Sequence, residues 1–330
     1  MSSFQSFWVE KNADGVRHSI IQRDLKDLPA GEVLIEVHYS SLNYKDALSA
    51  NGSPGVTKSY PHAPGIDAAG VVVESSVSEF SVADKVIVIG FDLGMNTSGG
   101  FGQYIRVPAA WITPLPEGLS LRQSMVIGTA GLTASLCIEK LLQQGANPEQ
   151  GPVLVSGATG GVGSVAVSLL SKLGFSVLAS TGKPDKARYL ESLGAQTVLP
   201  RSELEEVNKR PMAAPVYANA IDTVGGEILT NIIKSLDYQG SVAICGLVAS
   251  PVFSTTVLPF ILRGVNVLGI DSVELPVLDK TRNWNRLAAE WSLPNLEEMA
   301  IDINLTGLST AIADIFAGKV AGRVVVDLRA

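Results

Sequence analysis

The sequence predicts an α/β protein in which a strand-rich first part precedes a doubly wound parallel sheet. Three observations carry that expectation. From residue 153 onward, short apolar runs alternate with helix-like runs. A glycine cluster at residues 156–164, SGATGGVGS, joins the first such run to the first such helix. Before residue 120 the chain reads instead as short strands punctuated by Gly, Pro, Asn and Ser, with little helix.

In the first part, residues 33–39, 70–74, 85–89 and 104–107 read as strands. The first of them alternates in part, as a half-buried strand does, and the set suggests a compact barrel-like unit. A long helical stretch follows at 120–143. Strands are then expected at 153–156, 176–180, 197–199, 216–221, 241–244 and 265–270, with helices at 161–173, 184–193 and 226–236. That alternation implies a parallel sheet with right-handed crossovers. After Asp271 the repeat stops. Helices at 275–291 and 308–317 and a last strand at 323–328 form a tail that could return to the first unit. The reading divides the chain into residues 1–124, 125–270 and 271–330, and 330 residues suit two domains.

Composition narrows the function. Hydrophobic residues make up 46% and charged residues 17%, a core-forming balance. The net charge is −7 and no basic run exceeds two residues, which argues against a nucleic-acid surface but not against a small basic pocket. Two cysteines, Cys137 and Cys245, both in apolar segments, argue against a disulfide framework and fit a reducing compartment. The N-terminus, MSSFQSFWVEKNADG, has neither the basic start nor the apolar core of a signal peptide. No unbroken apolar run nears the ~20 residues of a membrane helix, so a soluble cytoplasmic protein is expected.

The glycine cluster gives Gly157, Gly160, Gly161 and Gly163, not the literal G-x-G-x-x-G. Its context is nevertheless that of a dinucleotide site: strand before, helix after, second strand close behind. Gly160 and Gly163 would let backbone N–H groups approach phosphates at the helix N-terminus. A tight βα turn without ligand is the plain alternative. An NAD site usually carries an acid at the end of the second strand, bonded to the ribose 2′-hydroxyl. Here that strand runs through Ser180 into Thr181, Gly182 and Lys183, with no acid before Asp185. Ser180 can donate to a 2′-phosphate and Lys183 can supply charge, which favours NADP(H). Lys183 as a solvated lysine is the alternative. Arg201, after the third strand, reads equally as a second charge or as a surface arginine.

The chain resembles the medium-chain dehydrogenase/reductase superfamily. The resemblance rests on the segments SSLNYKD (40–46), PGIDAAG (64–70), GTAGLTA (128–134), VSGATGGVGS (155–164), IDTVGG (221–226), PFILR (259–263) and GIDSV (269–273). Together they look most like its quinone-oxidoreductase-like group and, within it, the acryloyl-CoA reductase branch. The resemblance implies a GroES-like first domain, a Rossmann second domain, an active site in the cleft between them and a homodimer, with residues 265–270 a candidate edge. It also implies NADP contacts at Tyr44, Thr129, Thr159, Gly160, Gly161, Val162, Gly163, Ser164, Leu247, Ile261, Ser272 and Arg323. For Arg323 a phosphate or carboxamide contact is expected, against a plain surface arginine.

Zinc-dependent relatives in this superfamily carry a Cys ahead of the first-domain Asp, then Gly-His-Glu. Here the corresponding stretches read Leu42-Asn43-Tyr44-Lys45-Asp46 and Gly65-Ile66-Asp67. The cysteine and histidine are missing, and His18, His38 and His62 show no ligand spacing. The expectation is a metal-free enzyme in which Asp67 organises its surroundings. Such a site must hold developing negative charge with hydrogen bonds. Asn43 and Tyr44 are the candidate catalytic residues: Tyr44 as proton donor or cofactor contact, Asn43 as positioner. The alternative for the pair is a helix cap with a packed ring.

The leading expectation is therefore NADPH-dependent reduction of acryloyl-CoA or a related enoyl thioester. An NADPH:quinone reductase and a non-catalytic NADPH-binding or sensing protein are its rivals. No CoA motif is visible, so the thioester rests on the resemblance.

Overall fold

The structure is a computed structural model and describes residues 3–330. Two compact units emerge: residues 1–129 with 272–330, and residues 130–271. The first division falls five residues later than 124/125, at a kink. The 23-residue helix Leu121–Gln143 is interrupted at Gly128, whose φ is +52°. By length and composition this helix could cross a membrane, although its apolar residues are interrupted by polar ones. Its most apolar stretch is 78% buried inside the protein, as a core helix is.

The first unit is built on antiparallel pairing. A seven-stranded sheet runs in the order Ala300–Asn304, Arg323–Asp327, Val33–Ser41, Asp67–Ser75, Lys85–Ile89, Ile112–Pro114, and Tyr104–Val107 also pairs with Val33–Ser41. The last strand, Arg323–Asp327, lies antiparallel to Val33–Ser41 with Val325 opposite Ser41, so the tail does return to this unit. Alternate residues of these strands, among them Ile35, Val37, Val88, Val324 and Val326, fill one core with Phe7, Phe101, Leu308 and Ile312. The hairpin Ser3–Asn12/Gly15–Asp24 was not legible in the sequence. Its second strand is mostly polar and only one of its ten residues is buried, so apolar alternation is weak.

The second unit carries six parallel strands in the order Thr197–Pro200, Val177–Thr181, Val153–Val155, Tyr217–Asp222, Leu236–Ile244, Asn266–Gly269. This is the doubly wound order 3-2-1-4-5-6. Central strands Val153–Val155 and Tyr217–Asp222 are buried at every residue, as strands covered on both faces must be. Helix Gly226–Ser235 buries Ile228, Leu229, Ile232 and Ile233 on one stripe against Leu154, Ala220 and Val242. Each such side chain contributes about 1.5–3 kcal/mol. The helix expected at 184–193 is a 3₁₀ turn, Pro184–Lys186, followed by Ala187–Ser192. Cys137 is buried and Cys245 only half-buried; both are free thiols.

Candidate functional site

Strand Val153–Val155 ends in the glycine loop, and helix Gly161–Lys172 begins directly after it. Gly157 turns the chain with φ +60°, a region that suits glycine. At Gly163 a Cβ would lie 2.4 Å from the carbonyl oxygen of Gly157, so only glycine lets the helix close on the loop. Ala158 N–H donates to Ser180 O at 3.0 Å, and the hydroxyls of Thr159 and Thr181 share a 3.0 Å bond. The loop is thereby stitched to the end of the second strand. At the helix start, Gly161, Val162 and Gly163 carry N–H groups without intrahelical acceptors, a ready seat for a phosphate. Ser164, one residue on, is buried, and its hydroxyl donates to Gly161 O at 3.2 Å.

The second strand ends among polar and cationic groups. Ser180 is 1% exposed, and its hydroxyl has no hydrogen-bond partner among the described residues. Such a buried group is costly unless something binds it. Lys183 N–H donates to the Thr181 hydroxyl at 3.0 Å. Burial lowers the Lys183 amine below its ordinary range, with Asp185 opposing that shift and Lys186 adding to it. Arg201 N–H donates to Thr181 O at 2.8 Å, and a Cβ at Gly182 would come within 3.0 Å of the Arg201 guanidinium carbon. The structure thus brings Ser180, Gly182, Lys183 and Arg201 together. Arg201 also pairs with Glu205 at 2.7 Å, a half-exposed i,i+4 pair of small worth.

Asp222 closes the fourth element of this rim. It accepts from the Ser156 hydroxyl at 2.6 Å and from Gly225 N–H at 2.8 Å, while burial raises its carboxyl above the usual range. It organises the loop after its strand. Leu247 and Ile261, expected as cofactor contacts, are 59% and 69% exposed, Ile261 on the short helix Leu258–Arg263.

In the first unit, Asn43 precedes helix Tyr44–Ala50. The cap is made by the Asp46 carboxylate, which accepts Asn43 N–H at 2.8 Å. The Asn43 amide also reaches inward, donating to Asp67 Oδ2 at 2.8 Å and accepting from Arg323 at 3.2 Å. Tyr44 is half-buried, its ring tilted on Phe316 with centroids 5.5 Å apart. Asp67 is fully buried and also accepts from the Ser41 hydroxyl, from Thr129 N–H at 2.9 Å and from the Thr129 hydroxyl at 2.5 Å. Asp46, equally buried, accepts Ile66 N–H at 2.8 Å. Its carboxyl is pushed up to about 7, first by burial and then by Asp67. Ser272 is buried, and the buried Lys280 amine donates to the next residue's carbonyl, Val273 O, at 2.9 Å.

Arg323 is buried within the first unit. It is 3% exposed, not a surface arginine. Its guanidinium donates to Val126 O at 3.0 Å, Asn43 Oδ1 at 3.2 Å and Ser41 Oγ at 2.8 Å, and lies 3.8 Å from Asp67. A phosphate contact would have to compete with these internal bonds. The sequence reading missed Ser41, Asp46 and the Asp67–Arg323 pairing. Only the Asn43-x-x-Asp46 spacing carried a signal, that of a capping motif.

Comparisons with known proteins agree with this architecture. The model described as "Alcohol dehydrogenase GroES-like domain" matches residues 29–117, and that described as "Zinc-binding dehydrogenase" matches residues 161–290. Acrylyl-CoA reductase AcuI of Ruegeria pomeroyi is 44% identical over 99% of this chain and 100% of its own. The crystal structure of Escherichia coli K-12 YhdH with bound NADPH matches with a TM-score of 0.95 at 40% identity, covering 98% of this chain and 100% of that one. Bacillus subtilis YhfP with NAD bound gives 0.96 at 41%, covering 99% and 100%.

The zinc in the second family description does not fit the residues present. No group of three or more His, Cys, Asp or Glu among the described residues could hold a metal. His62 is tied to Gly94 O at 2.8 Å, and the Asp67 carboxylate is engaged by Ser41, Asn43 and Thr129. A dinucleotide does fit: the loop closes only around glycine at 163, and the Ser180 hydroxyl is buried without a partner among the described residues. By its two domains and its full-length match, the chain belongs to the medium-chain dehydrogenase/reductase superfamily, in the branch that holds the acrylyl-CoA reductase AcuI.

Proposed function

We propose that this protein reduces the activated C=C bond of acrylyl-CoA to propionyl-CoA, using NADPH and a proton and no metal, as a cytoplasmic homodimer. The full-length likeness to AcuI, 44% identical, carries the substrate assignment. The rim of Ser180, Lys183 and Arg201, free of a strand-end acid, supports NADPH.

When bound, NADPH supplies the hydride that saturates the β-carbon. The glycine loop, with Thr159, Gly160, Gly161, Val162, Gly163 and Ser164, seats the pyrophosphate by N–H groups. Ser180 and Lys183 engage the 2′-phosphate, with Gly182 giving Arg201 room to join them. Leu247 and Ile261 present apolar surface to the cofactor. In the first unit Tyr44, Thr129 and Ser272 are the contacts. The Tyr44 hydroxyl would hold or deliver a proton at the thioester side, where negative charge develops and protonation at the α-carbon completes the reaction. Asn43 acts through its neighbours and not as the proton donor, because its amide is bonded to Asp67 and Arg323.

NADPH oxidation by chelator-treated protein, with acrylyl-CoA, crotonyl-CoA and a benzoquinone compared, tests the reading. Acrylyl-CoA should be turned over fastest, with no loss after chelation. Turnover of the quinone alone would make the protein a quinone reductase. Tight NADPH binding with no turnover of any acceptor would make it a binding or sensing protein. Loss of activity on chelation would reject the metal-free assignment.

A further inference from the structure

We propose that Asp67 is a positioning residue: with Arg323 it forms one buried clamp that fixes the two chain segments carrying Tyr44 and Thr129. The inference rests on the assignment of those two residues as NADPH contacts and extends it to residues that need not touch the cofactor.

Both segments are gripped from both sides by the same ion pair. On the Tyr44 side, Arg323 donates to Leu42 O at 3.4 Å and to Asn43 Oδ1 at 3.2 Å, while Asn43 Nδ2 donates to Asp67 at 2.8 Å. On the Thr129 side, Arg323 Nε donates to Val126 O at 3.0 Å, while Thr129 gives Asp67 its N–H at 2.9 Å and its hydroxyl at 2.5 Å. Ser41 bridges the partners, donating to Asp67 and accepting from Arg323 at 2.8 Å. The strand that carries Asp67 is pinned as well, since the Ser40 hydroxyl donates to Asp67 O at 2.6 Å.

A carboxylate has about four lone-pair sites. Those of Asp67 are met by Ser41, Asn43 and the two donors of Thr129. The charges make these bonds short and directional, as positioning demands and as packing alone does not supply. The kink in the Thr129 segment is fitted to the clamp. A Cβ at Gly128 would lie 2.6 Å from each of Arg323 Nη2, Asp67 Oδ2 and Ser41 Oγ. Glycine at φ +52° lets the chain pass against the ion pair and aims Thr129 N–H at the carboxylate.

A purely structural ion pair predicts something different from a positioning one. If Asp67 only neutralises buried Arg323, removing both charges restores everything. Wild type, Asp67→Asn, Asp67→Asn/Arg323→Met and Ser41→Ala are compared by thermal midpoint, by NADPH Kd from nicotinamide fluorescence, and by kcat and KM for acrylyl-CoA. For the double variant the expected result is a midpoint near wild type, NADPH Kd raised at least tenfold and kcat at least tenfold down. For Ser41→Ala it is a midpoint near wild type with at least a threefold effect on kcat or NADPH Kd. A double variant with wild-type kcat and Kd overturns the proposal. So does a Ser41→Ala protein with both constants unchanged, even where the Asp67 variants fail to fold. Should wild type itself ignore acrylyl-CoA, the substrate assignment fails while the NADPH Kd series still decides the clamp.

Discussion

Gly163 faces the carbonyl oxygen of Gly157 so closely that a Cβ there would lie 2.4 Å away. The contact sets how near the helix N-terminus comes to the loop, and therefore how many N–H groups a phosphate can reach. Gly163→Ala must push the helix back, costing about 1–3 kcal/mol of stability. We expect it to weaken NADPH at least tenfold, read by fluorescence titration and thermal melting. Gly160→Ala is the comparison, because its Cβ would sit 3.2 Å from the same oxygen and its φ is −76°. It should cost less stability. Equal costs would show that the close approach at 163 is not what shapes the loop.

Lys183 follows Ser180 by three residues, at the strand end where other dinucleotide sites place an acid, and Arg201 N–H is held to Thr181 O at 2.8 Å beside it. Lys183→Glu restores that acid and should repel the 2′-phosphate while leaving NADH nearly untouched. The ratio of kcat/KM for NADPH over NADH should fall at least tenfold. An equal loss for both cofactors would reject the assignment of this rim to the 2′-phosphate.

Asp46 makes folding stability depend on pH. Its folded carboxyl sits at about 7 against 3.8 for the free group, raised first by burial and then by Asp67. Between about pH 4 and 7 the folded chain keeps a proton that the unfolded chain has released. The contribution is therefore present in acid and lost as pH rises through that window, on the order of 4 kcal/mol over its full span. In Asp46→Asn the slope from this group disappears, although one acceptor for Asn43 N–H or Ile66 N–H is lost. Urea unfolding at pH 5 and pH 8 should show the variant far below wild type at pH 5 and closer to it at pH 8. A gap that does not change with pH would place the Asp46 titration outside this range.

Legibility in the sequence followed the range of the interactions. Strands such as Tyr217–Asp222, buried on both faces, announce themselves as continuous apolar runs, and the Rossmann order follows from βα alternation. The place of Ser180 and Lys183 at the end of the second strand was legible because a strand end and its loop are contiguous. The hairpin Ser3–Asp24 was not, since its second strand is mostly polar, and Ala300–Asn304 was missed because five partly exposed residues make too short a run to stand out. The Asp67–Arg323 clamp left no local trace. Its partners come from strands adjacent only in the folded sheet, and neither flanking sequence has a period or motif that names the other. Arg323 in particular looks like any surface arginine until the return of the last strand buries it.

Strand Asn266–Gly269 is the last in its sheet: among the described residues its one partner strand is Leu236–Ile244, and the Lys140 amine donates to Gly269 O at 2.7 Å. The segment leading to it displays apolar side chains: Val252, Val257, Ile261 and Leu262 are 72%, 66%, 69% and 60% exposed. A sheet edge without a partner strand, beside exposed apolar residues, is a template for a second chain. We expect a homodimer in which this edge and the Leu258–Arg263 helix are covered. A stable pair needs about 1,200 Å² or more of buried surface, which the edge strand alone does not provide and the adjoining apolar segment can. Leu262→Glu puts a charge into that surface without touching a buried residue, so the fold should persist while the dimer dissociates. Sedimentation equilibrium in the micromolar range should give a dimer for wild type and a monomer for the variant, with the thermal melt of the variant still cooperative. A wild-type monomer would refute the homodimer, and a dimeric Leu262→Glu protein would move the interface elsewhere.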